Sequence, residues 1–217
     1  MINLYLFDDF DSIEYCDIEK AIELMPLERK EKALKYRKKK DKYLCIIAYF
    51  LLMYAIYTEY GIKGSLELLE GKYGKPYLKE YSNIFVNISH CSSGVACVVS
   101  NKEIGVDVQD IQDSYSEIID IACCNEELNM MKGVDNKEEL FYKMWTIKES
   151  YIKADGRGMH LNIKDINTSK KINACIKYKD MIISVHYKDN NKIIIEKNIN
   201  VKLVDKLKLT YSLYIKN

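Results

Sequence analysis

The stretch Trp145-Thr146-Ile147-Lys148-Glu149-Ser150-Tyr151-Ile152-Lys153 decides how this chain reads. Leu140, Met144, Ile147 and Tyr151 recur at helical spacing and make an apolar face. Trp145 flanks that face. Asn136, with Glu139 three residues on, is a capping signature, and Gly156 stands where a left-handed C-cap belongs. The spacing predicts a helix from about Asn136 to Ala154. Lys148 falls close to the apolar face, so its ammonium needs a snorkelling route or an anionic partner. Glu149 lies at the edge of the face, with Lys153 at i+4. Two readings stand for this pair. One is a surface ion pair worth a few tenths of a kcal/mol; the other is a carboxylate at a cleft rim beside a cation.

Outward from this helix the pattern changes. Upstream, Ile84–Ile88, Val95–Val99 and Ile104–Val108 are short β-branched runs separated by Ser, Gly and Asn, as in an antiparallel set. Ile2–Phe7 alternates and reads as a further strand. Pro26 opens a helix carrying Arg29, Lys30, Lys32 and Lys35. After the basic run Arg37–Lys40, a second helix extends from Asp41 to about Glu59, and Gly71–Pro76 is a turn. Helices are expected at Ser116–Cys123 and Glu126–Met131. Downstream, Ile172–Tyr178, Ile182–Tyr187, Ile193–Glu196 and Leu209–Ile215 read as strands. Strands and helices do not alternate as a regular βαβ series, so the fold class is α+β.

Composition excludes several classes. The chain has 217 residues, 33 basic and 32 acidic, for a net charge of +1. A protein without charge bias is not built to coat nucleic acid. The longest apolar run, within Leu44–Tyr57, is short for a bilayer span and reads as a core helix, so no membrane partner is expected. The seven cysteines have no metal-type spacing and read as reduced thiols. The first residues, Met1–Asp8, are too short and too soon acidic for a secretion signal, and a cytoplasmic location is expected. No Walker-type Gly-Lys-Ser/Thr loop occurs, which counts against the common nucleotide hydrolases.

Three further features carry chemistry. In the strand Gly105-Val106-Asp107-Val108-Gln109, alternation sends Asp107 and Gln109 to one side and Val106 and Val108 to the core. An acid beside an amide oxygen suits a hard cation, though a solvent-facing strand shows the same pattern. Lys75 sits between Gly74 and Pro76 in a turn, where the backbone can approach a ligand. Ser89-His90 follows a strand, and a histidine titrating near neutrality can pair with phosphate.

Taken in order, Gly74-Lys75-Pro76, Asn87-Ile88-Ser89-His90, Gly105-Val106-Asp107-Val108 and Trp145-x-x-Lys148-Glu149-Ser150-Tyr151-x-Lys153-x-x-Gly156-x-Gly158 resemble the motifs of the 4′-phosphopantetheinyl transferases of the longer, surfactin-synthetase-activating type. The resemblance implies a pseudo-dimer of two similar α+β halves, each a small antiparallel sheet on a long helix. Residues 1–103 would hold the nucleotide of coenzyme A, and residues 104–217 the Mg²⁺ and catalytic residues, with the active site in the cleft between. Residue by residue, it implies Asp107, Gln109 and Glu149 as metal ligands, and Asp107, Glu149 and Lys153 as catalytic groups. Arg29, Lys32, Lys75, Ser89, His90, Lys148 and Lys153 are implied as coenzyme A contacts. Position 109 departs from the best-known long members, which carry Glu there. The activity implied is Mg²⁺-dependent transfer of phosphopantetheine from coenzyme A to a serine of an apo acyl or peptidyl carrier protein, by a monomer. The alternative is a non-catalytic coenzyme A-binding protein.

Overall fold

The structure, a computed structural model, describes residues 2–206, 208 and 209. The chain begins with β1 (Ile2–Phe7), followed by α1 (Tyr15–Glu23), α2 (Leu27–Leu34) and α3 (Lys39–Tyr60). Then come β2 (Leu68–Glu70), β3 (Pro76–Leu78), β4 (Phe85–His90), β5 (Val95–Ser100) and β6 (Ile104–Asp110). Two short helices, α4 (Ile119–Ala122) and α5 (Asn125–Met130), precede the long α6 (Lys137–Asp155). The last strands described are β7 (Ile176–Tyr178), β8 (Met181–Asp189), β9 (Lys192–Ile195) and β10 (Ile199–Leu203).

These elements make an α+β fold. One sheet has the order β10-β1-β5-β4 and packs against α3. A second, β6-β8-β7 with β9 also on β8, packs against α6. A small β2–β3 hairpin stands beside the first. The two long helices solve different problems. α3 is apolar around most of its girth, and Leu44 to Met53, Ala55 and Ile56 are all buried. By length and composition alone it would suit a bilayer, beyond what the Leu44–Tyr57 run suggested, but its apolar surface is consumed by the core. α6 is mixed in character, with Phe141, Met144 and Ile147 inside and Glu149 and Lys153 at its margin.

Between the sheets lies a shared apolar layer. Leu4, Leu6, Ala96 and Val98 of the first meet Val106, Val108, Ile183 and Val185 of the second. The sheets are also joined edge to edge by side chains rather than by a backbone ladder. Asn87 Oδ1 accepts from the Val106 N–H at 2.9 Å, and Ser89 Oγ accepts from the Val108 N–H at 3.4 Å. Asp110 Oδ2 accepts from the Ser92 N–H at 2.7 Å. Polar side chains of β4 and β6 thus do what strand pairing does within a sheet.

Several expectations need correction. The first sheet is not purely antiparallel, because β10 runs parallel to β1. That strand comes from the C-terminal part of the chain and was missed in the sequence, as was α1. The expected strand Ile172–Tyr178 is a 3₁₀ turn at Ile172–Ala174 and a strand only over Ile176–Tyr178. The helix expected at Ser116–Cys123 is split into a 3₁₀ turn, Asp113–Glu117, and α4. The strand expected at Leu209–Ile215 lies almost wholly outside the described residues.

Candidate functional site

The site forms where β4, β6 and α6 converge. Strand register places Gly105 of β6 opposite His186 of β8, and Asp107 opposite Ser184. Gly105 sets how closely α6 approaches. A Cβ there would lie 2.3 Å from both the Ser150 carbonyl oxygen and the Ala154 nitrogen, so only glycine admits the helix backbone at this depth. Asn136 Oδ1 accepts the Glu139 N–H at 2.9 Å to cap the helix, and Gly156, at φ 86°, ends it.

Asp107 is 1% exposed, not solvent-facing as plain alternation allowed. Both faces of β6 are covered, one by the apolar layer and the other by α6. The Asp107 carboxylate is therefore stabilised by specific partners. Its Oδ1 accepts from Lys153 Nζ at 2.6 Å and from Ser89 Oγ at 2.8 Å. Lys153 Nζ also donates to Ser89 Oγ at 2.9 Å. Gln109 Nε2 donates to Asp107 Oδ2 at 3.2 Å.

Glu149 is treated differently. It has no hydrogen bond or ion pair among the described residues, so the i+4 pair with Lys153 does not form. Burial raises its carboxyl above the ordinary value, and the Asp107 charge adds to the rise, while Lys153 opposes it. Desolvation, then the Lys153 ammonium, holds the His90 imidazole below its ordinary value. Ser89, His90, Asp107, Gln109, Glu149 and Lys153 line one recess of about 320 Å³. It shares Glu149, Lys153, Trp145 and Ile88 with a larger cleft of about 710 Å³. Tyr73, Lys75, Gly158 and Ile163 form the far walls of that cleft. The larger volume is within the range of about 300–1,000 Å³ usual for small-molecule sites.

The other candidate cations fall into three situations. Lys75 lines the cleft and donates to the Ala154 carbonyl at 2.9 Å, tying the β2–β3 turn to the end of α6; burial lowers its pKa. Arg29 and Lys32 line neither cavity. Lys32 pairs with Glu70 at 2.7 Å. Arg29 lies over the Tyr49 ring, its buried Nε without a partner among the described residues. Lys148 is a correction. Its ammonium is fully buried and does not enter the cleft. It donates to Glu127 Oε2 at 2.7 Å, to the Ala122 carbonyl at 2.6 Å and to the Ile163 carbonyl at 3.2 Å. Of the two ways to accommodate it near the apolar face, snorkelling or an anionic partner, the structure takes the second: Glu127 of α5, behind the cleft wall. Glu127 also accepts from the Cys124 N–H and from the backbone and hydroxyl of Thr168.

Sequence reasoning missed Glu127, and it missed the roles of Asn87 and Gly105. Only their place in the ordered motifs set the last two apart. No local signal marks Glu127, because its importance comes from a partner 21 positions away.

Whether the recess suits a metal can be judged from its donors. Among the described residues, no three His, Cys, Asp or Glu side chains come together. Asp107 and Glu149 nevertheless supply two carboxylates, and the Gln109 amide supplies a third oxygen once turned about its χ3. An all-oxygen set suits a hard divalent cation that retains several waters. Glu149 is a half-buried carboxylate without a partner, pushed up in pKa partly by Asp107, and bound positive charge would relieve that. The residues fit such an ion.

Residues 103–195 match the model of the 4′-phosphopantetheinyl transferase superfamily. The chain is 30% identical over 155 residues to the 4′-phosphopantetheinyl transferase gsp of Aneurinibacillus migulanus, covering 70% of this chain and 65% of that one. It is 27% identical over 146 residues to the 4′-phosphopantetheinyl transferase Sfp of Bacillus subtilis, covering 66% and 65%. It is 27% identical over 195 residues to an L-aminoadipate-semialdehyde dehydrogenase-phosphopantetheinyl transferase of Candida glabrata, covering 82% and 75%. The chain thus spans slightly less than two thirds of the length of the bacterial relatives it matches. Residues 103–195, which carry Asp107, Gln109, Glu149 and Lys153, are thus similar to the 4′-phosphopantetheinyl transferase superfamily, and the chain as a whole is similar to the 4′-phosphopantetheinyl transferases gsp and Sfp.

Proposed function

We propose that this protein transfers the 4′-phosphopantetheine arm of coenzyme A to a serine hydroxyl of an apo acyl or peptidyl carrier protein, in a Mg²⁺-dependent reaction. The observation that carries this reading is the recess itself. Two carboxylates, Asp107 and Glu149, face it with Lys153 and His90, and it opens into a cleft large enough for a nucleotide cosubstrate. In the reaction, the serine oxygen bonds to the β-phosphorus of coenzyme A. The bond from that phosphorus to the 3′,5′-ADP oxygen breaks, and the serine proton leaves to a base.

The chain's own residues divide this work. Glu149 is the base: it has no competing partner, and its raised pKa brings its proton affinity towards the working pH. Lys153 reaches from α6 to the Asp107 carboxylate and stands where diphosphate charge would lie. Asp107, Glu149 and Gln109 would hold Mg²⁺, which when bound neutralises diphosphate charge. Lys75 in the cleft and His90 in the adjoining recess serve the nucleotide phosphates. Arg29 and Lys32, which line neither cavity, are assigned to the 3′-phosphate on the resemblance alone. On this reading residues 1–103 bind mostly nucleotide and residues 104–217 mostly the reacting end. The protein acts as a monomer in the cytoplasm.

The test is direct. The protein is incubated with coenzyme A, Mg²⁺ and a panel of apo carrier proteins, and each carrier is weighed by mass spectrometry. A phosphopantetheine adduct on at least one carrier is expected. Binding of coenzyme A with no adduct on any carrier would instead favour the non-catalytic reading, to which the missing third carboxylate at Gln109 lends weight.

A further inference from the structure

Two hydrogen bonds cross the interface between α6 and β8. Thr146 Oγ1 and Ser184 Oγ are 2.8 Å apart, and Ser150 Oγ and His186 Nδ1 are 2.9 Å apart. All four side chains are fully buried. Thr146, Ser150 and Ala154 are one turn apart, a strip of small residues along the helix face that meets the sheet. Strand register gives these contacts their meaning. Ser184 is opposite Asp107, and His186 is opposite Gly105. The polar ties therefore fasten the helix to the strand whose immediate neighbour carries Asp107.

The direction of the second tie follows from proton accounting. The Ser150 hydroxyl donates to the Thr146 carbonyl at 2.6 Å, so its oxygen must accept at His186. Nδ1 is then the protonated nitrogen. Nε2 is buried without a partner among the described residues. Burial, then the Lys171 charge, lowers the ring's pKa to about 3, so it stays neutral and keeps this tautomer. A buried, unpartnered acceptor is a cost that an aliphatic side chain would not carry. Stability alone therefore does not account for a histidine here. The ring gains a directed bond across the helix–sheet gap, braced by the Tyr151 ring edge-on at 5.7 Å.

We propose that His186 and Ser150 are positioning residues: the Nδ1–H to Oγ bond fixes where α6 sits along β8, and through it the separation of Glu149 on the helix from Asp107 on β6. This rests on the transferase reading given above. Glu149 is the residue before Ser150, so any slide or roll of α6 at Ser150 moves its carboxylate directly. A displacement of about 1 Å at a reacting group can cost on the order of 10²-fold in rate.

The test compares His186→Leu, which removes the tie, with His186→Gln, whose amide N–H restores a donor. Transfer to an apo carrier is measured with both. His186→Leu is expected to unfold cooperatively near the parent temperature, to lose at least about tenfold in kcat, and to keep its KM for coenzyme A within about threefold. His186→Gln is expected to recover most of the rate. A second readout needs no activity. Trp145, the single tryptophan, lies on α6 and lines the cleft. Its emission maximum and acrylamide quenching should change in His186→Leu and not in His186→Gln. A folded His186→Leu protein with parental kcat and parental Trp145 emission overturns the proposal, as does a His186→Gln protein impaired as badly as His186→Leu. If the parent itself transfers nothing, the transferase reading has failed and the Trp145 comparison alone decides. If His186→Leu does not fold, Ser150→Ala takes its place with the same expectations, and failure of both to fold assigns the pair to the core and overturns the proposal.

Discussion

The Lys153 ammonium lies 2.6 Å from Asp107 Oδ1, reaching from helix to strand and leaving Glu149, one turn back on its own helix, without an ion pair among the described residues. Proximity along a helix would favour the i, i+4 partner by only a few tenths of a kcal/mol. A carboxylate buried to 1% exposure needs a charge partner more than a partly buried one does. The lysine goes where charge is hardest to solvate.

From this follows the first prediction. Asp107→Asn keeps the side-chain shape and an oxygen that can accept from Ser89, while removing the charge. Lys153, a quarter exposed, can turn to solvent. Transfer activity should fall by at least about 10²-fold with the melting temperature changed by only a few degrees. Turnover near the parent's would remove Asp107 from the active site.

Glu149→Gln should separate stability from activity. The carboxyl's folded pKa is raised, first by burial and then by Asp107. A raised folded pKa means the group's contribution to stability is full below its unfolded value and is lost as pH rises through the folded value. At pH 7.5 the native Glu149 is therefore a liability that glutamine lacks. The variant should melt about 1–4 °C higher than the parent at pH 7.5, and the gap should close near pH 4. Its transfer rate should drop about 10²–10⁴-fold. Equal melting temperatures at both pH values would deny the electrostatic account; a surviving rate would deny the role of base.

The sequence disclosed some of this and hid the rest for identifiable reasons. The capped helix Lys137–Asp155 and the strands at Phe85–His90, Val95–Ser100 and Ile104–Asp110 follow from local signals, namely caps, β-branched runs and breaks at Gly and Asn. The parallel strand Ile199–Leu203 was not legible, because pairing with Ile2–Phe7 is a contact between opposite ends of the described chain. At the site, alternation put Asp107 and Gln109 on one side of their strand but could not say what covers that side. Lys148 was legible as a lysine needing either a snorkelling route or an anion, but which of the two, and that the anion is Glu127, was not.

Gly105→Ala tests the close approach of strand and helix. The new Cβ would lie 2.3 Å from backbone atoms of Ser150 and Ala154, which cannot rotate aside. α6 must lift from β6, at a cost of about 1–3 kcal/mol. Because Glu149 and Lys153 ride on α6, transfer should fall further than the loss of folded protein explains. The check is kcat normalised to the folded fraction; a normalised rate equal to the parent's would mean the site tolerates the shift.

The buried pair behind the cleft should behave as an all-or-none unit. Lys148→Met leaves Glu127 buried without its cation and should cost about 3–5 kcal/mol. The double variant Lys148→Met, Glu127→Gln should recover much of that. Burial works to raise the Glu127 pKa, but bonds from Lys148 and Thr168 outweigh it and hold it below the ordinary value. A depressed folded pKa gives stability that is present above the unfolded value and lost as pH falls through the folded one. Denaturant midpoints should therefore fall below about pH 4.5, and less so in the double variant. Equal acid sensitivity in both proteins would show that other carboxylates govern it.

Gln109→Glu bears on the metal reading without using activity. The Gln109 amide donates to Asp107 Oδ2 at 3.2 Å, and the two side chains lie two positions apart on one strand face. A glutamate would exchange that donor for a like charge next to Asp107 and near Glu149, in a recess that already holds two carboxylates against one lysine. The apo variant should therefore melt lower than the parent by several degrees at pH 7.5 and low salt. A hard cation held by three carboxylates rather than two should bind more tightly. Mg²⁺ titration should then raise the variant's melting temperature more than the parent's, with half the effect at a lower concentration. Reciprocal behaviour is required: if the charge destabilises the empty recess because it faces the other carboxylates, the same proximity must favour the ion. A variant that loses stability but gains no response to Mg²⁺ would place residue 109 beside Asp107 but outside the coordination sphere.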